Sequence, residues 1–125
     1  MTITLSQVQD FILFYHKISG EMLPLEVSFK LARTYKACQD QFGFYQTEWR
    51  KIITSYCDLD EAGNPIQLDN GFKIDPEKRA DCEAALADLA NFNVEIPDCQ
   101  ISIKTLPAGN FTPEELSGVL EFLTD

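Results

Sequence analysis

The sequence has little of what usually builds a metal centre. It contains one histidine, His16, and four cysteines that stand 19, 25 and 17 positions apart: Cys38, Cys57, Cys82 and Cys99. Zinc sites of the finger and ribbon types need thiolates in pairs that are only about two to four residues apart. We therefore expect no metal site, and we expect the four cysteines to behave as reduced, apolar thiols.

Long apolar runs and an N-terminal targeting signal are also missing. No stretch approaches the roughly 20 apolar residues that cross a bilayer. The first ten residues, MTITLSQVQD, have neither the basic nor the apolar region of a signal peptide. These absences predict a protein that is made in the cytoplasm and has no membrane partner.

Positive charge is scarce. Ten Lys and Arg stand against 20 Asp and Glu, which gives a formal net charge of -10. Residues 58–98 hold eleven acidic residues and three basic ones, whereas residues 1–57 hold five and six. Because phosphate-binding proteins need a basic stripe, we expect no direct nucleic-acid binding. The acidic half serves either solubility or the binding of a basic partner.

Motifs of catalysis are absent as well. There is no glycine-rich phosphate loop, no G-x-S-x-G and no H-E-x-x-H. His16 has no cysteine, serine or acidic residue at a useful spacing. Four carboxylates of one predicted helix lie largely outside its apolar stripe, as solvent-exposed acids do: Glu77, Asp81, Glu83 and Asp88. We predict a non-enzymatic protein without catalytic residues, a cofactor or a small-molecule ligand.

The sequence does contain a clear succession of amphipathic elements, in a length of 125 residues that fits a single domain over residues 1–125. Ser6-x-x-Gln9 predicts a capping box at the start of a first helix over residues 6–19. Gly20 suits the residue that ends a helix. Five apolar residues would share one face of this helix: Val8, Phe11, Ile12, Tyr15 and Ile18.

A long helix is predicted over residues 25–56, opened by Pro24. Its apolar residues alternate at spacings of four and three, the pattern of a heptad seam: Leu31, Tyr35, Cys38, Phe42, Tyr45, Trp49, Ile52 and Tyr56. A helix of this length extends about 48 Å. Part of the seam should therefore need a partner beyond the first helix, either a later helix or another copy. Gly43 inside it predicts a close helix contact or a slight bend.

Six aromatic residues on or beside this seam are candidates for a protein interface: Tyr35, Phe42, Phe44, Tyr45, Trp49 and Tyr56. Packing in the core is one interpretation, since a heptad stripe is usually interior. An interface centred on Tyr45 and Trp49 is the other, because such residues dominate interface energetics.

The stretch YCDLDEAGNP, residues 56–65, admits two interpretations, a calcium loop or a turn. In the calcium-loop register Ala62 lacks an oxygen ligand, Asp69 stands where glutamate is usual, and Pro65 falls where a strand amide is needed. The following residues also predict strands rather than a helix. We therefore predict a turn and then a β-hairpin over residues 65–75.

The apolar pattern of this hairpin predicts its register. A three-residue loop that ends at Gly71 would set Leu68 against Phe72 and Ile66 against Ile74. All four apolar side chains would then share one face. Gly71 would take a positive φ in this loop.

Three further segments complete the chain. They are a helix over residues 76–92 with Asp75 as its cap, short strands over residues 93–106, and a helix over residues 113–123 opened by the capping box of Thr112 and Glu115. The sequence predicts an α+β fold in the order α-α-β-β-α-β-β-α. It begins with an N-terminal helical hairpin that includes one long amphipathic helix. A small and mostly antiparallel sheet, built from the β-hairpin and the later strands, and two further helices complete it.

Several stretches together resemble a family of small uncharacterised proteins encoded by tailed bacteriophages and prophages. They are SFKLARTYKACQDQFGFYQTEWRKIITSYC, DEAGNP, FKIDPEKRADCEAALADLANFNVEI and FTPEELSGVLEFL, which cover residues 28–123 in pattern. The chain departs from that family in having SYC where KYG precedes the acidic turn. The resemblance implies a phage origin and a role in virion morphogenesis, and it brings no catalytic residues.

Two functional hypotheses follow. In the first, the protein is a structural or assembly component of the virion, and its long helix packs against copies of itself or another phage structural protein. In the alternative, it is an acidic phage-encoded inhibitor that occupies the groove of a host defence or nucleic-acid-binding protein. The first predicts an oligomer that survives salt, and the second predicts electrostatic binding. We expect the first, in the host bacterial cytoplasm or in the virion.

Overall fold

A computed structural model describes residues 1–69, 71–107 and 111–125 of the chain. Its elements are β1 Thr2–Thr4, α1 Leu5–Ile18, α2 Leu25–Tyr56, β2 Gln67–Leu68, β3 Gly71–Phe72, α3 Pro76–Ala90, β4 Asn93–Glu95, β5 Ile101–Ser102, α4 Pro113–Ser117 and β6 Leu123–Thr124, with 3-10 turns at Ile103–Thr105 and Leu120–Phe122. The α+β class with one long helix is confirmed. Among the described helices, none is long and apolar enough to cross a membrane.

The described residues group into two compact units. Unit 1 consists of residues 1–42 and 93–125, and unit 2 consists of residues 43–92. The helix α2 contributes its first part to unit 1 and its second part to unit 2. The single domain expected over residues 1–125 stays a prediction.

The cap of α1 lies at Thr4 rather than at the predicted Ser6. The Thr4 hydroxyl accepts the Gln7 amide at 3.2 Å, and Gln7 Oε1 accepts the Thr4 amide at 2.8 Å. Both Thr4-x-x-Gln7 and Ser6-x-x-Gln9 fit a capping box. Thr4 prevails because β1 delivers it in the extended conformation that a cap needs, and because a start at Leu5 buries that side chain completely.

The core of unit 1 forms where α1 meets the end of the chain. Phe11 of α1 and Phe122 are fully buried, with ring centroids 4.7 Å apart. β1 pairs with β4 in antiparallel register, so that Ile3 lies opposite Val94 and both are buried. The predicted apolar face of α1 is therefore an interior face.

The N-terminal ammonium group is held beside β4. It donates to the Ile96 carbonyl at 2.7 Å and to Asp98 Oδ1 at 2.8 Å. The ammonium hydrogen bond and charge lower the pKa of the Asp98 carboxyl. The start of the chain is thus fixed to unit 1 by hydrogen bonds as well as by β pairing.

The C-terminal helix is shorter than predicted. Its capping box of Thr112 and Glu115 is present, but α4 ends at Ser117. Gly118 packs so closely that a Cβ there would lie 3.0 Å from the Asp10 side chain. The chain then continues through the 3-10 turn Leu120–Phe122 into β6, which pairs in parallel with β5. The prediction of a helix over residues 113–123 is wrong beyond Ser117 because this packing supports a turn.

The long helix α2 spans the predicted residues 25–56. Its heptad positions Ile52 and Tyr56 are only half-buried, whereas Ile53 and Cys57 are buried. An α-helix repeats every 3.6 residues, so a strict 3.5-residue pattern drifts off the buried line over several turns. Burial in unit 2 therefore falls one residue later than the heptad predicts.

Gly43 does not mark a close helix contact. A Cβ built on it would meet no atom within 4 Å. That part of the prediction is wrong, because the side of α2 at Gly43 is exposed.

The hairpin of unit 2 has a different register from the predicted one. β2 and β3 pair Gln67 with Phe72 and Leu68 with Gly71. Gly71 has the predicted positive φ, at 134°. Asn70, the middle residue of the predicted loop, lies outside the described residues.

The register differs because the four apolar side chains do not share one face. Leu68 is 51% exposed, while Phe72 packs on Trp49 with ring centroids 5.8 Å apart. Burial of the large Phe72 ring against α2 outweighs the alternation of smaller side chains.

The helix α3 starts as predicted and completes the core of unit 2. Asp75 is its cap, with Oδ1 accepting the Glu77 amide at 3.0 Å, and Pro76 follows in the first turn. The helix ends at Ala90, two residues before the predicted end. Cys82 is buried against the α2 side chains in a small apolar cluster.

Among the described residues, three separate pairs of strands replace the single small sheet that was predicted. β1 pairs with β4 and β2 with β3, both antiparallel, and β5 pairs with β6 in parallel. Within residues 1–69, 71–107 and 111–125, the hairpin does not join the later strands. β1 and β6 are absent from the predicted order because strands of two or three residues are too short to show an alternating pattern.

Candidate functional site

The exposed face of α2 in unit 2 carries the single tryptophan of the chain. Trp49 is 37% exposed although its ring packs on Phe72 at an interplanar angle of 56°. Ile53, one turn later on α2, is buried in the core of the unit. Packing on Phe72 thus holds one side of the Trp49 ring, and the rest of the side chain is open to solvent.

A loop that is fixed by its own aspartate lies after α2. Asp60 Oδ1 accepts the amides of Ala62 and Asn64, each at 2.9 Å, and Gly63 has a φ of 82°. The Asp60 amide in turn donates to the Asn64 carbonyl at 2.8 Å. The turn predicted from YCDLDEAGNP is confirmed.

Asp58 and Asp60, the first two carboxylates of the calcium-loop motif, are both engaged within unit 2. Asp60 binds the amides of its own loop, and Asp58 Oδ2 lies 3.8 Å from Lys73 Nζ. In the described parts of the chain, no group of three or more potential ligands could hold a metal ion. The motif therefore shapes a loop.

Helix, loop and hairpin enclose a cavity of about 460 Å³, which we call the Trp49 groove. It is lined by Trp49, Arg50, Ile53, Thr54, Gly63, Asn64, Pro65, Gln67 and Phe72. Apolar rings and side chains thus stand beside amide and hydroxyl groups that can orient a ligand, the usual make-up of a binding site.

The charge of the Trp49 groove differs from that of the chain. Its described lining contains no carboxylate and one cation, Arg50, in a protein with 20 acidic residues. Arg50 forms no ion pair within residues 1–69, 71–107 and 111–125. The lining of the groove is therefore complementary to an apolar group that has a negative charge beside it.

A second, shallower concavity continues from the groove along α2. Its volume is about 720 Å³, and it shares Arg50 and Thr54 with the groove. Lys51 also lines it, and that ammonium is paired with Glu48 at 3.0 Å. No described carboxylate lines this second concavity, although the Glu48 carboxylate adjoins it through Lys51.

The six predicted interface residues are divided between the two units. Tyr35 and Phe42 belong to unit 1, and the other four belong to unit 2. Trp49 lies in the groove, and Phe44 is 43% exposed beside Phe92, at 6.0 Å between ring centroids. Tyr45 is half-buried, and Tyr56 packs against the core cluster of unit 2.

Tyr35 has a structural role in unit 1. Its ring stacks on Tyr15 with centroids 4.0 Å apart and planes 7° apart. Its hydroxyl accepts a hydrogen bond from Gln39 at 3.1 Å and lies 3.5 Å from His16 Nε2. His16 therefore has an aromatic neighbour on α2, and neither residue is part of the groove.

The four cysteines form two buried pairs of free thiols. Cys38 and Cys99 belong to unit 1, and Cys57 and Cys82 to unit 2. Burial raises the pKa of Cys38 to about 12, and the neighbouring Cys99 adds to the shift. Burial also raises the pKa of the other three thiols. Because the thiolate is the reactive form, none of them is a reactive group at neutral pH.

Several groove residues were not identified from the sequence. Arg50 directly follows Trp49 in the sequence, and this adjacency is the one local signal for it. Phe72 and Pro65 come from the hairpin, and their approach to α2 depends on a register that was predicted wrongly. No protein-family model, curated protein or solved structure matches this chain, so the groove itself is the basis for a functional proposal.

Proposed function

We propose that this protein works through protein–protein contacts, as a structural or assembly component of a tailed-bacteriophage particle. It associates with further copies of itself, in the cytoplasm of the bacterial host or in the virion. The observation that carries this proposal is the Trp49 groove, in which a tryptophan supported by Phe72 is 37% exposed. Tryptophan is among the residues that contribute most to protein interfaces.

The phage setting is supported by the resemblance described above. The long helix α2, the turn at residues 60–64 and the capped starts of α3 and α4 are the elements that carry it. An assembly protein needs a surface that binds another subunit, and the Trp49 groove supplies one without any catalytic group.

Light scattering behind a sizing column tests the proposal. We expect the wild type to elute as an oligomer whose mass is a multiple of 14.2 kDa. It should persist in about 0.5 M NaCl, where the Debye length is roughly 4 Å, because its main anchor is apolar. Trp49→Ala should elute at the monomer mass.

Phe44→Ala is the matched control, since Phe44 is also an exposed aromatic residue of α2 but does not line the groove. It should leave the oligomer intact. Circular dichroism would establish that both variants keep their helices. A monomeric wild type, or an oligomer that Trp49→Ala leaves unchanged, would overturn the proposal.

A further inference from the structure

An exposed segment that runs from the α1–α2 connection into the first turn of α2 has the chemistry that suits the Trp49 groove. Met22 is 98% exposed and Leu25 is 87% exposed, more than the other large apolar side chains of the described residues. Pro24 lies between them, and Glu21 and Glu26 flank them, both exposed. Residues 21–26 therefore present two apolar side chains with a carboxylate on each side.

The remaining apolar residue of this segment holds it in place. Leu23 is half-buried and lines a small cavity of about 60 Å³ with residues of α1 and α2. The Glu21 amide donates to the Ile18 carbonyl at 3.0 Å, and the Ser28 amide donates to the Pro24 carbonyl at 3.0 Å. The segment is thus fixed at Leu23, while Met22 and Leu25 point into solvent.

The charges of segment and groove are complementary. Glu21 and Glu26 form no ion pair within the part of the chain that the structure describes, and the same is true of Arg50. The groove has apolar rings and one arginine, and no described carboxylate lines it. It is therefore complementary to exposed apolar side chains that lie beside unpaired carboxylates.

We propose that residues 21–26 of one copy dock in the Trp49 groove of a second copy. Met22 or Leu25 enters beside Trp49 and Phe72, and Glu21 or Glu26 pairs with Arg50. This inference rests on the proposed function, because it names the surface that the groove binds.

The contact joins copies head to tail. The docking segment belongs to unit 1 and the groove to unit 2, so the two surfaces are different. After each addition the assembly still has one unused docking segment and one unused groove. Such a heterologous contact builds a ring where the rotation closes and an open filament where it does not.

Complementation between two variants tests the head-to-tail contact. Met22→Ser/Leu25→Ser removes the docking side chains and keeps the groove, while Trp49→Ala removes the groove and keeps the segment. Each variant alone should be monomeric. Their mixture should form a 1:1 dimer of twice 14.2 kDa, because one intact segment then meets one intact groove.

Leu13→Ser is the control for loss of an exposed apolar side chain, since Leu13 is 63% exposed on α1. It should associate as the wild type does. The loss of each docking side chain should weaken association about 10- to 100-fold. If Met22→Ser/Leu25→Ser associates like the wild type while Trp49→Ala dissociates, this inference fails and the proposed function stands. If Trp49→Ala also associates normally, the proposed function fails.

A charge reversal tests the ion pair without disturbing packing, since Arg50 is exposed. Arg50→Glu should weaken association about 2- to 5-fold. Glu21→Lys/Glu26→Lys in the same chain should restore it. Failure of the second change to restore association would show that these carboxylates do not meet Arg50, and would overturn the assigned contact.

The single tryptophan reports directly on the groove. In the wild type, acrylamide should quench Trp49 fluorescence less as the protein concentration rises, because the docked segment covers the ring. In Met22→Ser/Leu25→Ser, quenching should not depend on concentration. Equal, concentration-independent quenching in an oligomeric wild type would show that the groove stays open, which contradicts the inference.

Discussion

Two glycines of unit 2 have different backbone requirements. Gly63 has a φ of 82° in the loop that Asp60 fixes, a conformation that side chains with a Cβ disfavour. Gly43 lies inside α2, where a Cβ would meet no atom within 4 Å. The same substitution should therefore have opposite effects at the two positions.

We expect Gly63→Ala to lower the free energy of unfolding by about 1 kcal/mol, because alanine strains the left-handed backbone. Gly43→Ala should raise it by about 0.5–1 kcal/mol, because alanine favours the helix. Urea unfolding followed by circular dichroism measures both. A loss of stability in Gly43→Ala would contradict the open space that the structure shows around a Cβ at this position.

At the same scale, part of the candidate site could be predicted from the sequence. Trp49 was a predicted interface residue, because tryptophan on a helix seam often contributes strongly to a protein interface. Arg50 and Phe72 were not. Arg50 lines the groove because the buried line of α2 passes through Ile53 rather than Ile52, and Phe72 reaches the groove through a hairpin register that was predicted wrongly. A shift of one residue on a helix rotates the exposed face by about 100°.

At the scale of the element, the start of α1 distinguishes two capping boxes that the sequence makes equally plausible. Thr4→Ala should lower the free energy of unfolding by about 1 kcal/mol, because it removes the cap that the Gln7 amide uses. Ser6→Ala should change it by less than about 0.5 kcal/mol, since Ser6 lies inside the helix. Thermal unfolding of the two variants compares them. A larger loss in Ser6→Ala would contradict the observed start of α1.

Helices were predicted far better than strands, for a physical reason. The start of α3 is set by Asp75 and Pro76, and α2 by a long periodic run, and these are local signals. The pairing of β1 with β4 joins residues about 90 positions apart and leaves no local trace. The early end of α4 likewise depends on the approach of Asp10 to Gly118, which is a tertiary contact.

At the scale of the molecule, the cysteines can report on the two units separately. Buried thiols with raised pKa values react with a maleimide only after local or global opening. We expect Cys38 and Cys99 to be labelled at one rate and Cys57 and Cys82 at another. Mass spectrometry of peptides from labelled protein, at neutral pH and low urea, measures each rate.

Denatured protein should be labelled at all four positions and provides the control. One common rate would mean that residues 1–125 open as a single cooperative domain, as the length predicts. Clearly unequal rates within a pair would contradict the assignment of its two members to the same unit.

The pairing of β1 with β4 also has a consequence for synthesis on the ribosome. Asn93 is translated 89 residues after its partner Thr4, a delay of roughly 4–18 s at common elongation rates. Residues 43–92 are contiguous and have all been translated before β4 is. During translation, unit 2 can therefore fold while α1 still lacks β4 and Phe122, and the core of unit 1 is completed only when residues 93–125 emerge.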